Sequence, residues 1–134
     1  MTDQDMQTVE AVLAAFRRGD IEALLDLNHP EGEWVNPDYA IEAGTRRGRE
    51  EIRQAIERLS EFFEDVEVES MERAPDGRIL VISRVRSRGM AGGRGIEAHP
   101  STIYTVRDGL VLRYEWFLTP EEGREQAGLA ATDQ

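Results

Sequence analysis

The stretch Ser101-Thr102-Ile103-Tyr104-Thr105-Val106-Arg107-Asp108-Gly109-Leu110-Val111-Leu112-Arg113-Tyr114-Glu115-Trp116-Phe117 decides the fold. Two runs rich in β-branched and aromatic residues flank Asp108-Gly109, a strong signal for a two-residue hairpin turn. With Arg107 paired to Leu110, alternation places Ile103 opposite Tyr114 and Ser101 opposite Trp116. The preceding segment repeats the device around Asp76-Gly77. A two-residue turn there pairs Pro75 with Arg78, Ala74 with Ile79, Ser70 with Ser83 and Val68 with Val85. The two hairpins predict four antiparallel strands, joined by the glycine-rich loop Gly89-Met90-Ala91-Gly92-Gly93-Arg94-Gly95.

One face of this sheet carries Val66, Val68, Ser70, Ile79, Val81, Ser83, Val85, Ser101, Ile103, Thr105, Leu112, Tyr114 and Trp116, with His99. It is a mixture of apolar walls, a few hydroxyls and one imidazole. The opposite face carries Met71, Leu80, Ile82, Tyr104, Val106, Val111 and Phe117, framed by arginine and glutamate. That patch is larger than a monomer ordinarily leaves in water and has the core-and-rim composition of an interface, which predicts a homodimer through the outer sheet face. The competing reading covers the patch with the carboxy-terminal segment.

Upstream, the apolar period changes from two to 3.6. Val9, Val12, Leu13 and Phe16 form the stripe of an amphipathic helix over Asp5–Phe16. Gly19 ends it, and Asp20 caps a second helix over Ile21–Leu27. The adhesion-like tripeptide Arg18-Gly19-Asp20 is explained by this capping. A short strand follows at Glu33-Trp34-Val35, then a turn at Pro37, a short segment at Ala40–Ala43 and a long helix over Gly48–Phe63. Ile52, Ala55, Ile56 and Leu59 line one side of that helix. At the far end, Thr119-Pro120-Glu121-Glu122 reads as a cap, a first-turn proline and acids at the positive end of a short helix reaching Gly128. Residues 129–134 are expected to fray.

Composition sets outer limits. The chain has 134 residues, a length suited to a single domain over 1–134. Sixteen basic against 27 acidic residues give a net charge of −11, so phosphate backbones and anionic membranes are repelled, and neither nucleic acid nor membrane is an expected partner. There is no cysteine, and the two histidines lie seventy positions apart, so no metal site is expected. Gly92-Gly93-Arg94-Gly95 lies in a hairpin loop rather than between strand and helix, and gives no phosphate cradle. No cofactor is expected. The sequence starts without a basic segment followed by an apolar one, so the expected address is cytoplasmic.

The order helix, helix, short strand pair, long helix, four strands resembles the SnoaL-like branch of the NTF2-like superfamily, the ketosteroid isomerase-like fold. The resemblance rests on Phe16-Arg17-Arg18-Gly19-Asp20-Ile21-Glu22-Ala23-Leu24, on Thr45-Arg46-Arg47-Gly48-Arg49-Glu50-Glu51-Ile52, and on Val106-Arg107-Asp108-Gly109-Leu110-Val111. It implies an α+β fold: a cone-shaped curved antiparallel sheet closed by the N-terminal helices and one long helix, with a short C-terminal helix. The implied pocket often holds an apolar or aromatic small molecule.

The resemblance also shows departures. In the ketosteroid isomerase branch the general base is an aspartate directly before a proline after the first strand, and here the sequence is Val35-Asn36-Pro37. An amide cannot take a proton. That branch's oxyanion-hole tyrosine and acid would fall near Val12 and Ser101. Related polyketide cyclases and limonene epoxide hydrolases carry an inward aspartate in the last strand, where this chain has Trp116. Glu115 beside it points to the opposite face unless a bulge intervenes.

The surviving acid/base candidate is His99, with help from Asp38, Tyr39 or Tyr114. Trp34, Ser83, Ser101, Ile103, Tyr114 and Trp116 are the candidate ligand wall. Three readings stand: a homodimeric pocket protein for a small apolar or aromatic molecule; a cofactor-free isomerase, dehydratase or polyketide cyclase-like enzyme using His99; or an interaction module whose cone is filled by side chains.

Overall fold

The computed structural model describes residues 3–40, 43–87 and 95–129. The elements run α1 (Gln4–Arg17), α2 (Ile21–Asp26), β1 (Asn28–Asn36), β2 (Gly44–Arg47), α3 (Gly48–Phe62), β3 (Phe63–Arg73), β4 (Ile79–Ser87), β5 (Glu97–Ala98), β6 (Ser101–Arg107), β7 (Leu110–Phe117) and α4 (Pro120–Gln126). This is an α+β fold built on one curved sheet, ordered β2-β1-β7-β6-β4-β3, with β5 also paired to β4. No described helix is long and apolar enough to cross a membrane.

Local chemistry starts and stops the helices; the Asp20 and Thr119 caps are the expected ones, and the Asp3 cap is not. Asp3 Oδ1 accepts the Met6 amide at 3.2 Å, and Asp20 Oδ1 accepts that of Ala23 at 3.0 Å. Between them Gly19 takes a φ of +72°, a left-handed conformation that ends α1 without a Cβ penalty. Thr119 Oγ1 caps α4 through the Glu122 amide at 3.2 Å, with Pro120 in the first turn. Helix α3 has no side-chain N-cap, but Glu51 Oε1 accepts the Arg47 amide at 2.9 Å and so pairs one backbone donor at the helix start. Its apolar stripe is buried at Ile52 and Ile56.

The strands depart from simple alternation in four places. First, β1 begins at Asn28, well before Glu33, and runs parallel to β7 with a register break between Asn28 and Glu33. Second, β2 begins at Gly44, not at Ala40, where the chain is in a turn; Ile41 and Glu42 lie outside the described residues. Third, the first hairpin has a three-residue loop: Ala74 N–H donates to Arg78 O at 2.7 Å, Gly77 takes a φ of +95°, and Arg73, not Ala74, opposes Ile79. The physical reason is Pro75. It lacks the N–H that a closing pair with Arg78 would use, and it suits the second position of a type I turn instead. A bulge at Glu69 then shifts the register again, so Met71 rather than Ser70 faces Val81 and the core.

The fourth departure matters most. The Asp108-Gly109 turn forms as expected, with φ of 55° and 79° and Arg107 opposite Leu110. Leu112 is then the extra residue of a β-bulge, and beyond it Tyr104 opposes Tyr114 and Thr102 opposes Trp116. Every residue of β6 is therefore on the face opposite to the one expected. Thr102, Tyr104 and Val106 turn toward the helices, while Ser101 and Ile103 turn outward.

The predicted interface patch is reassigned accordingly. Met71, Tyr104, Val106 and Val111 belong to the main core with α1, α2 and α3. Leu80, Ile82 and Phe117 stay on the outer face, join Ile103 and Ala74, and pack under Ala127 and Leu129 at the end of α4. The Leu129 amide donates to Arg124 O at 2.8 Å. Residues 130–134 and most of the glycine-rich loop (88–94) lie outside the described residues.

Candidate functional site

The inner face of the sheet and α1, α2 and α3 enclose a cavity of about 200 Å³. The helices contribute Val12, Leu13, Phe16, Leu24, Ile56 and Leu59. The sheet contributes an aromatic group, Trp34, Tyr104, Tyr114 and Trp116, and beside it Ser83, Val85 and Thr102. Half-buried Phe63, Val66, Ala98 and Pro100, with exposed Leu118, mark the open end. Val12, Leu24, Ile56 and Tyr114 mark the buried end, each at most 3% exposed. No Asp, Glu, His or Arg side chain lines the cavity among the described residues.

The two indoles are held by one acceptor. Trp34 Nε1 donates to Asn36 Oδ1 at 2.8 Å, and Trp116 Nε1 donates to the same oxygen at 2.6 Å. Asn36 lies two residues from Trp34 on β1, hence on the same face of that strand, and β1 lies beside β7. The amide that displaces an acid/base residue thus serves as a fixed acceptor orienting two walls of the cavity. Tyr114 packs against Trp34 with ring centroids 5.2 Å apart, and edge-on to Tyr104 at 5.4 Å. Burial pushes both phenols well above the ordinary tyrosine range, Tyr114 also through its neighbour Tyr104, so both remain neutral O–H groups.

Of the expected ligand residues, Trp34, Ser83, Tyr114 and Trp116 do line the cavity. Ser101 and Ile103 do not: the Leu112 bulge turns them outward, where Ser101 Oγ donates to Thr119 O at 2.8 Å and Ile103 is sealed beneath α4. Thr102 and Tyr104 stand in their place. Val111 and Tyr114, three apart and both buried, cannot share a face by simple alternation, and this burial, set by packing, is what reveals the bulge.

The expected acid/base set is not assembled at the cavity. Ala98 and Pro100 line it, but His99 between them points the other way, with Nδ1 2.9 Å from Glu69 Oε1 and Nε2 3.3 Å from Glu97 Oε2. Tyr39 is 49% exposed; its hydroxyl donates to Glu122 Oε1 at 2.5 Å and accepts the Leu118 amide at 3.0 Å. Asp38 is exposed in the turn after β1. Glu115 faces Arg78 on the outer side, at 3.4 Å. No described group of three or more His, Cys, Asp or Glu residues is arranged to hold a metal ion.

His99 is a clasp between β3 and β5. Its hydrogen bond to Glu69, and the charges of Glu69 and Glu97, raise its pKa; Arg86, 3.8 Å from Glu97, is the nearby cation. A histidine whose folded pKa is raised stabilises the fold fully below the unfolded value of about 6.5, and that stabilisation disappears as pH rises through the folded value. The melting-temperature deficit of His99→Gln is therefore expected to be larger at about pH 5.5 than at about pH 8.5. Equal deficits at both would contradict the clasp.

Comparison with known proteins agrees with this architecture. A family model for the SnoaL-like domain matches residues 9–114. An NTF2-like protein from Burkholderia xenovorans LB400 is 28% identical, with a TM-score of 0.69 over 87% of this chain and 90% of that one. A hypothetical protein with ketosteroid isomerase-like fold from Catenulispora acidiphila DSM 44928, solved in complex with trimethylamine, is 22% identical, with a TM-score of 0.68 over 95% and 96% of the two chains. TerC, co-crystallised with polyporic acid, is 23% identical, with a TM-score of 0.72 over 94% and 99%. No curated protein matches the chain. The helix and strand order, the curved sheet closed by helices and the match over residues 9–114 together make this chain a member of the SnoaL-like family, on the NTF2-like fold.

Proposed function

We propose that the protein binds a small, uncharged, apolar or aromatic molecule in the cavity between its sheet and its helices. The observation that carries this reading is the cavity itself: about 200 Å³, walled by two tryptophans, two tyrosines and aliphatic side chains, with no charged side chain among the described residues. A dry apolar cavity of about 150 Å³ accommodates benzene. The space here therefore suits a substituted single ring or a compact pair of rings. An ionised ligand entering such walls would lose its hydration without gaining a counter-charge. The cavity also argues against a cone filled by side chains. Of the acid/base set, His99, Asp38 and Tyr39 lie outside the cavity lining and only Tyr114 reaches it, so binding is the reading the wall supports best.

Naphthalene, indole and 2-naphthoate make a direct test. The two neutral compounds are expected to raise the melting temperature by a few degrees near saturation and to change the emission of Trp34 and Trp116, while the anion does neither. Ala98→Phe places a ring at the half-buried open end and is expected to abolish both responses while leaving the fold intact. Absence of any response to the neutral compounds, or an unaltered response in Ala98→Phe, would refute the assignment.

A further inference from the structure

The polar atoms of the cavity narrow the ligand further than its size does. Tyr114 is 3% exposed and lines the cavity, yet its hydroxyl is buried with no hydrogen-bond partner among the described residues. Buried polar groups are nearly always paired, so an orphaned O–H needs a reason. Its ring sits between Trp34 at 5.2 Å and Tyr104 at 5.4 Å, which keeps it from swinging toward an acceptor elsewhere. The other N–H donors of the aromatic wall are already used, since both indoles donate to Asn36. Burial keeps the phenol protonated and therefore a donor. No cation lines the cavity to receive an anionic acceptor.

Resting on the binding reading above, we infer that the ligand carries a neutral oxygen acceptor, a carbonyl or hydroxyl oxygen borne on an aromatic ring, and that the O–H of Tyr114 donates to it. Tyr104, directly opposite on β6, is the neighbouring phenol and forms the other side of the seat. Ser83 and Thr102 are the competing hydroxyls of the wall. No described side chain or backbone group pairs with this donor, and the ligand oxygen supplies its acceptor.

The test uses acetophenone and isopropylbenzene, which share a shape and differ in the carbonyl oxygen, against the wild type and Tyr114→Phe. The variant is expected to bind acetophenone about five- to tenfold more weakly and isopropylbenzene with unchanged affinity, the range one hydrogen bond supplies. Without ligand, its melting temperature is expected to rise by a few degrees, because the orphan hydroxyl is gone. That rise also separates a folded variant from a damaged one. Equal effects on both ligands, or a loss carried by Ser83→Ala in place of Tyr114→Phe, would overturn the inference while leaving apolar binding standing. If neither compound binds the wild type, both readings fall.

Discussion

Gly123→Ala is expected to destabilise the protein by about 2 kcal/mol, although alanine is the better helix former. Inside α4 the exchange gains about 1 kcal/mol of helix propensity. Against it, a Cβ at position 123 would lie 2.1 Å from Ser101 Oγ, 2.4 Å from Ser101 Cβ and 3.1 Å from Leu80 Cδ1. Overpacking of this kind costs about 1–3 kcal/mol or more, and here the obstacle is a side chain on the middle of a sheet, which has little room to give. The helix must lift, and its lifting uncovers Leu80, Ile103 and Phe117, the apolar outer face it normally shields. Urea denaturation measures the loss, and light scattering reports whether the uncovered face self-associates. Ser101→Gly in the same chain removes the obstacle and is expected to restore most of the stability. A single Gly123→Ala variant as stable as the wild type would show that α4 is not seated against Ser101.

Asn36→Ala is the second large effect, again about 2 kcal/mol. It strips the shared acceptor from two indole N–H groups at once, and an unsatisfied buried donor costs about 1–3 kcal/mol. Both tryptophans are only half-buried, so water recovers part of the loss. The tryptophan emission is expected to shift as the rings lose their common anchor, and affinity for the neutral aromatics named above is expected to fall with it. Asn36→Asp keeps an oxygen between the indoles and is expected to recover most of the stability, because a carboxylate accepts two N–H bonds at least as well as an amide. A stability within about 0.5 kcal/mol of wild type for Asn36→Ala, with unchanged emission, would remove the clamp from the site.

Much of the architecture is legible from short-range chemistry. Asp20 and Thr119 announce two helix starts through their own side chains, and Gly19 marks the corner between α1 and α2. The facing of β4 and of the end of β7 also follows from alternation, so Ser83, Val85, Tyr114 and Trp116 are found directly. The bulges at Glu69 and Leu112 are not marked in this way. They exist because Val68 with Met71, and Val111 with Tyr114, all pack on the same helices, a demand set by tertiary contact rather than by neighbours in sequence. A shift of one residue then exchanges every side chain of β6, which replaces Ser101 and Ile103 by Thr102 and Tyr104 in the cavity. Asn36 was legible as a missing base but not as a clamp, because its second indole comes from β7, eighty positions away.

The place of β7 has a consequence for biosynthesis. It is the penultimate element of the chain yet lies between β1 and β6 in the sheet order. A nascent polypeptide halted before Leu110 therefore holds two separate fragments, β2-β1 and β6-β4-β3, with no ladder joining them. The ribosome must deliver β7 before closure begins, and until then both fragments present unpaired edges to the cellular milieu.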